Sequence, residues 1–178
     1  GLTDRVVATL KDKGITHFTP IQARSYELLK EGSDMLGRSR TGTGKTLAFS
    51  LPLIEKLAAE EPRGRGRPPR MLVLAPTREL ATQIAEECVK FGGPLGIRSI
   101  CCYGGSPKGP QLGALRSGAH VVIATPGRLN DFLEGGMVSM HNVNYLVFDE
   151  ADRMLDMGFE PQIRKIVARC PGDRQTLF

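Results

Sequence analysis

The stretch SRTGTGKTLAFSLPLIEKL, Ser39 to Leu57, gathers the residues of a phosphate site into one short loop. Gly42 and Gly44 let the backbone curl with successive N–H groups facing inward. That makes a nest for phosphate oxygens at the N-terminus of a following helix. Lys45 has the reach to pair with the β- and γ-phosphates of a nucleotide, and the Thr46 hydroxyl is a ligand for Mg2+. The strict pattern G-x-x-x-x-G-K-[ST] puts a glycine where this chain has Ser39. Serine is small enough for a sharp exit from a strand, and a bare glycine-rich turn has no need of lysine and threonine next. A second constellation lies downstream in LVFDEAD, Leu146 to Asp152, where an apolar run delivers two acids at its end. Asp149 fits the carboxylate that holds Mg2+ in phosphate-loop enzymes. Glu150 fits the group that orients or polarises an attacking water. Taken alone, DEADRML also reads as an acidic strand end opening a helix; the phosphate loop upstream favours the metal reading.

These residues need elements to place them. TDRVVATLKDKG has Thr3 at an N-cap position and Gly14 at a C-cap position, and TPIQARSYELLKEG has Pro20 at a helix start and Gly32 past its end. Short apolar runs then alternate with helical patterns. The runs are DMLGRS, RMLVLAPT, IRSICCYGG, HVVIATP, NYLVFDE and RQTLF. Near-continuously apolar strands alternating with helices predict an α/β fold, a doubly wound, mainly parallel sheet with helices on both faces. Ligands of such sheets sit beyond the carboxyl ends of the strands. Four of those ends carry chemistry: RTGTGKT, APTREL, ATPGR and DEAD.

Composition sets the limits. The chain has 178 residues, enough for one domain with a sizeable core. No apolar run approaches the roughly 18 residues that span a bilayer, so no membrane partner is expected. The N-terminus GLTDRVVATL lacks a signal-peptide layout. Cys88, Cys101, Cys102 and Cys170 form no C-x-x-C pair and no cluster with His17, His120 or His141. They read as reduced core thiols of an intracellular protein. Net charge is +5, of which EEPRGRGRPPR, Glu60 to Arg70, contributes +2. The body is mildly basic, which permits an anionic partner. The arginine-glycine segment reads as a solvated surface loop, or as an auxiliary RNA-contacting element.

The motifs together resemble the DEAD-box RNA helicases of helicase superfamily 2, over essentially the whole chain. Ser39 to Thr46 matches the family's A-x-T-G-x-G-K-T loop except at Ser39, and the family itself lacks the strict first glycine. PTREL (Pro76 to Leu80), the pair Gly104 and Gly105, TPGR (Thr125 to Arg128) and DEAD (Asp149 to Asp152) follow in family order and spacing. The resemblance implies a RecA-like phosphate-loop domain that binds ATP with Mg2+. It assigns nucleotide contacts to Arg40, Thr41, Gly42, Thr43, Gly44, Lys45 and Thr46, metal ligation to Thr46 and Asp149, and catalysis to Lys45, Asp149 and Glu150. GITHFTPIQ is similar to the adenine-reading Q motif G-x-x-x-P-T-x-I-Q, which makes Gln22 the adenine reader; Phe18 stands where the family has proline. Pro76, Thr77, Arg78, Gly105, Thr125, Gly127 and Arg128 resemble the family's RNA-backbone contacts, although Thr125–Arg128 also reads as a strand end followed by a capped helix. Asp152 is similar to the residue that couples the ATP site to its neighbours.

The chain stops at RQTLF, where the family continues into a Ser-Ala-Thr motif and a second RecA-like domain that supplies arginine fingers. The expectation is therefore an N-terminal RecA-like domain over residues 1–178, with the Q-motif region at 1–32 and the phosphate-loop core at 33–178. As given it would hydrolyse ATP poorly and bind it weakly, because the family's stacking aromatic upstream of the Q motif falls before residue 1. Its partners would be RNA, read with little sequence preference, the second RecA-like domain, and protein cofactors. The expected activity is ATP-dependent RNA unwinding. An ATP-gated RNA clamp or remodelling scaffold, and a DNA-directed translocase, use the same residue types and stay open here.

Overall fold

The computed structural model describes residues 2–38, 44–60 and 68–178. Helices α1 (Asp4–Asp12), α2 (Pro20–Lys30) and α3 (Lys45–Glu60) precede strand β1 (Met71–Leu74). Then follow α4 (Arg78–Gly92), a short 3-10 turn, β2 (Ser99–Cys102), α5 (Lys108–Arg116), β3 (Val121–Ala124), α6 (Pro126–Glu134), β4 (Tyr145–Phe148), α7 (Ala151–Asp156), α8 (Glu160–Val167) and β5 (Gln175–Leu177). The five strands form one sheet in the order β2-β3-β1-β4-β5, and every pairing is parallel.

Strands β1, β3 and β4 are buried at every position, as a sheet covered on both faces requires. Met71, Val73, Val121, Ile123 and Val147 face a core with Leu53, Ile54 and Leu57 of α3 and Ile84 of α4. Leu72, Leu74, Val122, Leu146 and Phe148 face a second core with Leu129 and Phe132 of α6 and Ile166 of α8. The predicted first strand, DMLGRS, reduces to a single parallel bridge, Met35 to Leu177. It lies beside β5, where the Met35 and Gly37 N–H groups donate to Thr176 O and Phe178 O and Met35 O accepts from the Phe178 N–H, and Leu36 is 84% exposed.

The N-terminal helices are bolted to α3. Gln22 and Thr19 close a capping box at the start of α2, with Pro20 in the first turn. Thr3 sits at the N-cap of α1 without a side-chain cap; its N–H donates to Glu55 Oε1 at 2.7 Å, while Tyr26 donates its phenol to Glu55 Oε2 at 2.9 Å. Burial first, then the Glu55 carboxylate, push the Tyr26 phenol well above its ordinary range. Phe18 stacks on Tyr26 at 6.2 Å between ring centres and packs on the cluster of Val6, Leu10, Leu47, Leu51 and Phe91. Phe18 is thus a packing residue.

Pro52 stands inside α3 and has no N–H for the Ala48 carbonyl one turn back. Ser25 Oγ lies 3.0 Å from that carbonyl and within reach of Ile21 O and Gln22 O in its own helix. Ala48 O is the acceptor whose helix partner proline removes. Ser25→Ala should therefore cost about 1–3 kcal/mol by orphaning a buried carbonyl, seen as a lower urea midpoint at unchanged slope. An unchanged midpoint would mean that the carbonyl has another partner.

All four cysteines are free. Burial pushes the Cys88 and Cys102 thiols up to about 12, and Cys101 and Cys170 up to about 11. No described helix is long and apolar enough to cross a membrane.

Candidate functional site

Parallel register sets the carboxyl ends of four strands at one level: Leu74 pairs with both Ala124 and Phe148, and Cys102 with Ala124. The segments beginning at Ala75, Tyr103, Thr125 and Asp149 therefore emerge side by side along one edge. The sheet's crossovers bring the start of α3 to the same edge. An open cleft there is lined by Gln22, Gly44, Lys45, Thr46, Asp149 and Glu150. Arg40, Thr41, Gly42 and Thr43 lie outside the described residues, as does most of the arginine-glycine segment.

Lys45 Nζ lies 2.9 Å from Asp149 Oδ1. The lysine side chain is 34% exposed and the carboxylate 4%, so the cation can leave its partner for a ligand while the anion stays in place. Gly44 has φ +76°, the left-handed region open to glycine. Its carbonyl accepts from Gln22 Nε2 at 3.2 Å, and a Cβ at Gly44 would run into that same nitrogen. Gln22 Oε1 accepts from Thr19 N–H at 3.0 Å. The amide thus has one acceptor site and one N–H left over, the pair an adenine edge requires.

Glu150 has φ 56° and ψ 52°, and it is the one non-glycine residue at positive φ among the described residues. Strain of this kind gathers at functional sites and costs about 1–3 kcal/mol. It turns the chain sharply between β4 and α7, and Arg153 Nη1 holds the carboxylate at 3.1 Å. Glu150→Gly is expected to raise stability by roughly 1 kcal/mol, net of the lost ion pair, while Glu150→Val lowers it. Thermal melts of the two variants decide; a destabilised glycine variant would refute the strain. Asp152 is exposed and accepts from the Arg153 N–H at 2.9 Å, within α7.

The other strand ends form a second face. Arg78, Gly105 and Gly127 are exposed, and Thr77 and Thr125 are half-buried. Thr77 caps α4 by accepting from Leu80 N–H at 3.3 Å, and the Arg78 guanidinium rests 4.6 Å from the centre of the Tyr103 ring. Pro76 is buried. So is Arg128, at 8% exposure; it donates to Gln111 Oε1 at 3.0 Å and Ser106 O at 2.9 Å. Its partners are an amide and a carbonyl. Gln111 carries no mark of this role in the sequence, since a glutamine in a short amphipathic helix looks like any solvent-facing one.

A family model for DEAD/DEAH box helicases matches residues 19–178. The chain is 54% identical to the ATP-dependent RNA helicase DBP2 of Candida albicans over 178 residues, which is 100% of this chain and 32% of that protein. It is 53% identical to DEAD-box ATP-dependent RNA helicase 30 of Arabidopsis thaliana, over 98% of this chain and 30% of that protein. A crystal structure of a DEAD box protein from the hyperthermophile Methanococcus jannaschii superposes with TM-score 0.89 at 35% identity, covering 99% of this chain and 47% of its own. The chain spans about a third of the length of these curated relatives.

Proposed function

The chain belongs to the DEAD/DEAH box helicase family, and from that premise we propose that it is the N-terminal RecA-like, ATP- and RNA-binding domain of an intracellular ATP-dependent RNA helicase. The observation that carries this reading is the Lys45–Asp149 pair at 2.9 Å, set in a cleft beside the exposed strand-end face. A cation that can move and an anion that cannot are what a metal-bound triphosphate needs.

The residues divide the work as follows. Lys45 exchanges Asp149 for the β- and γ-phosphates, with the amides of the loop before it as a nest. Asp149 and the Thr46 hydroxyl are hard oxygen donors of the type Mg2+ takes. Such a site completes itself with phosphate oxygens and water, so it needs no larger protein cluster. When bound, Mg2+ neutralises charge building on the phosphates. Glu150, held by its turn and by Arg153, orients the attacking water. Gln22 reads adenine with its two unused amide positions, and its bond to Gly44 O links base recognition to the phosphate loop. Asp152 couples this cleft to the neighbouring face.

That face contacts the RNA backbone. Arg78 supplies charge, Thr77 and Thr125 supply hydroxyls, and Gly105 and Gly127 allow close backbone approach. Such contacts position a strand without reading bases. A second RecA-like domain supplies the arginines for hydrolysis, worth roughly 10³–10⁵ in rate. Pro76 and Arg128, both buried, shape the face from beneath.

Calorimetric titration of Mg·ADP and Mg·GDP tests the reading. ADP should bind in preference to GDP, and Gln22→Ala should erase the preference while leaving phosphate-dependent binding. No binding of either nucleotide would overturn the proposal. Competition between matched RNA and DNA strands tests the second face, with RNA expected to win.

A further inference from the structure

Gln111 lies on α5 at 9% exposure, and its amide makes three hydrogen bonds, two to Tyr103 just past β2 and one to Arg128 in the first turn of α6. Oε1 accepts from the Tyr103 N–H at 3.2 Å and from Arg128 Nη1 at 3.0 Å. Nε2 donates to Tyr103 O at 3.1 Å. The bonds to the N–H and the carbonyl of one residue imitate a rung of sheet pairing just past the end of β2, so they fix the peptide planes on both sides of Tyr103. Arg128 in turn donates through Nη2 to Ser106 O at 2.9 Å. The turn containing Gly104 and Gly105 is thereby held at one end by Gln111 and at the other by the arginine that Gln111 holds. Through its ring, Tyr103 also carries Arg78. One buried amide thus ties the ends of β1, β2 and β3 together.

We infer that Gln111 is a positioning residue for RNA binding, and that Arg128 acts through the same network and not by gripping a phosphate. The inference rests on the RNA reading of this face. The chemistry requires an amide. A carboxylate would serve Arg128 but set an acceptor against Tyr103 O, and an aliphatic side chain would serve neither partner. Gly105 has φ +77° and open space where a Cβ would stand, and its backbone is presented between two pinned residues, Tyr103 and Ser106.

The test measures binding of a labelled single-stranded RNA to the full-length protein over a salt series, with Mg·ADP affinity measured alongside. Gln111→Leu should weaken RNA binding about tenfold, with Mg·ADP affinity held within about twofold. The slope of log affinity against log salt should stay unchanged, because no phosphate contact is removed. Arg128→Met should behave alike, and the double variant should be no weaker than the weaker single, since both break one network. Arg78→Ala should instead flatten the slope by about 0.7. RNA affinity of Gln111→Leu within about twofold of wild type would overturn the inference. So would a parallel fall in ADP affinity, the mark of a plain stability role, or a flattened slope for Arg128→Met, the mark of a direct phosphate contact. Should Gln111→Leu not fold, Gln111→Glu keeps the Arg128 bond and is expected to lose RNA affinity several-fold from the Tyr103 carbonyl clash alone; no loss would sink the idea. Wild-type protein that binds no RNA would remove the function reading itself, and this inference with it.

Discussion

Lys45→Ala is expected to lower Mg·ADP affinity by about a hundredfold, the loss of charge-assisted bonds to phosphate in a partly desolvated cleft. The structure adds a second consequence. Asp149 is 3% exposed and Lys45 is its ion-pair partner, so the same substitution leaves a buried carboxylate uncompensated. Breaking a fully buried pair costs about 3–5 kcal/mol, and the exposure of Lys45 reduces that here to roughly 1–3 kcal/mol. The two effects separate in a double variant. Lys45→Ala with Asp149→Asn should recover most of the lost stability, because a neutral amide tolerates the site, and recover none of the affinity. Calorimetry and urea melts on the two proteins read these independently. A double variant no more stable than Lys45→Ala would show that the pair contributes nothing to the fold. An Lys45→Ala protein with wild-type affinity would remove the phosphate role.

Gly44→Ala should be nearly as damaging, by a route that involves no charge. Holding alanine at φ +76° costs about 1–2 kcal/mol. The new methyl group also meets Gln22 Nε2, and Gln22 is 7% exposed and tied to Thr19 N–H, so it cannot yield without losing a bond. The summed disturbance should reduce adenine nucleotide affinity by at least about tenfold and lower the melting temperature by several degrees. Gly105→Ala is the control: its φ of +77° carries the same backbone strain, but no atom lies within 4 Å of the added carbon. Combining Gly44→Ala with Gln22→Ala removes the collision, so the pair should lower the melting temperature by less than the sum of the two single effects. If the two effects simply add, the collision is not the cause. The strain at Gly44 would then lie wholly in the backbone.

Much of the candidate site was legible in the residues themselves. Lys45, Thr46, Asp149 and Glu150 announce phosphate and metal chemistry by type and spacing, and apolar strands alternating with helices announce a parallel sheet whose carboxyl edge must hold them. Helix boundaries at Pro20, Gly14 and Gly32 follow from caps, which are local. The weak point was DMLGRS. Its apolar pair resembles a strand, and Met35 does pair with Leu177, but nothing local in DMLGRS names β5, at the other end of the chain, as its partner.

What the sequence alone determined about this protein is the layered α/β fold and which residues are candidates for phosphate and metal binding, since periodicity, capping and motif spacing act over a few residues. What only the tertiary structure decided is how side chains distant in sequence complete one another: Gln22 on Gly44, Ser25 on the carbonyl orphaned by Pro52, and Gln111 on Tyr103 and Arg128. It also buried Arg128 beneath the strand-end face, with Gln111 and Ser106 as its partners. The physical reason is that a buried polar group must find its partner wherever the chain crossovers and strand register bring one, and neither leaves a local mark in the sequence.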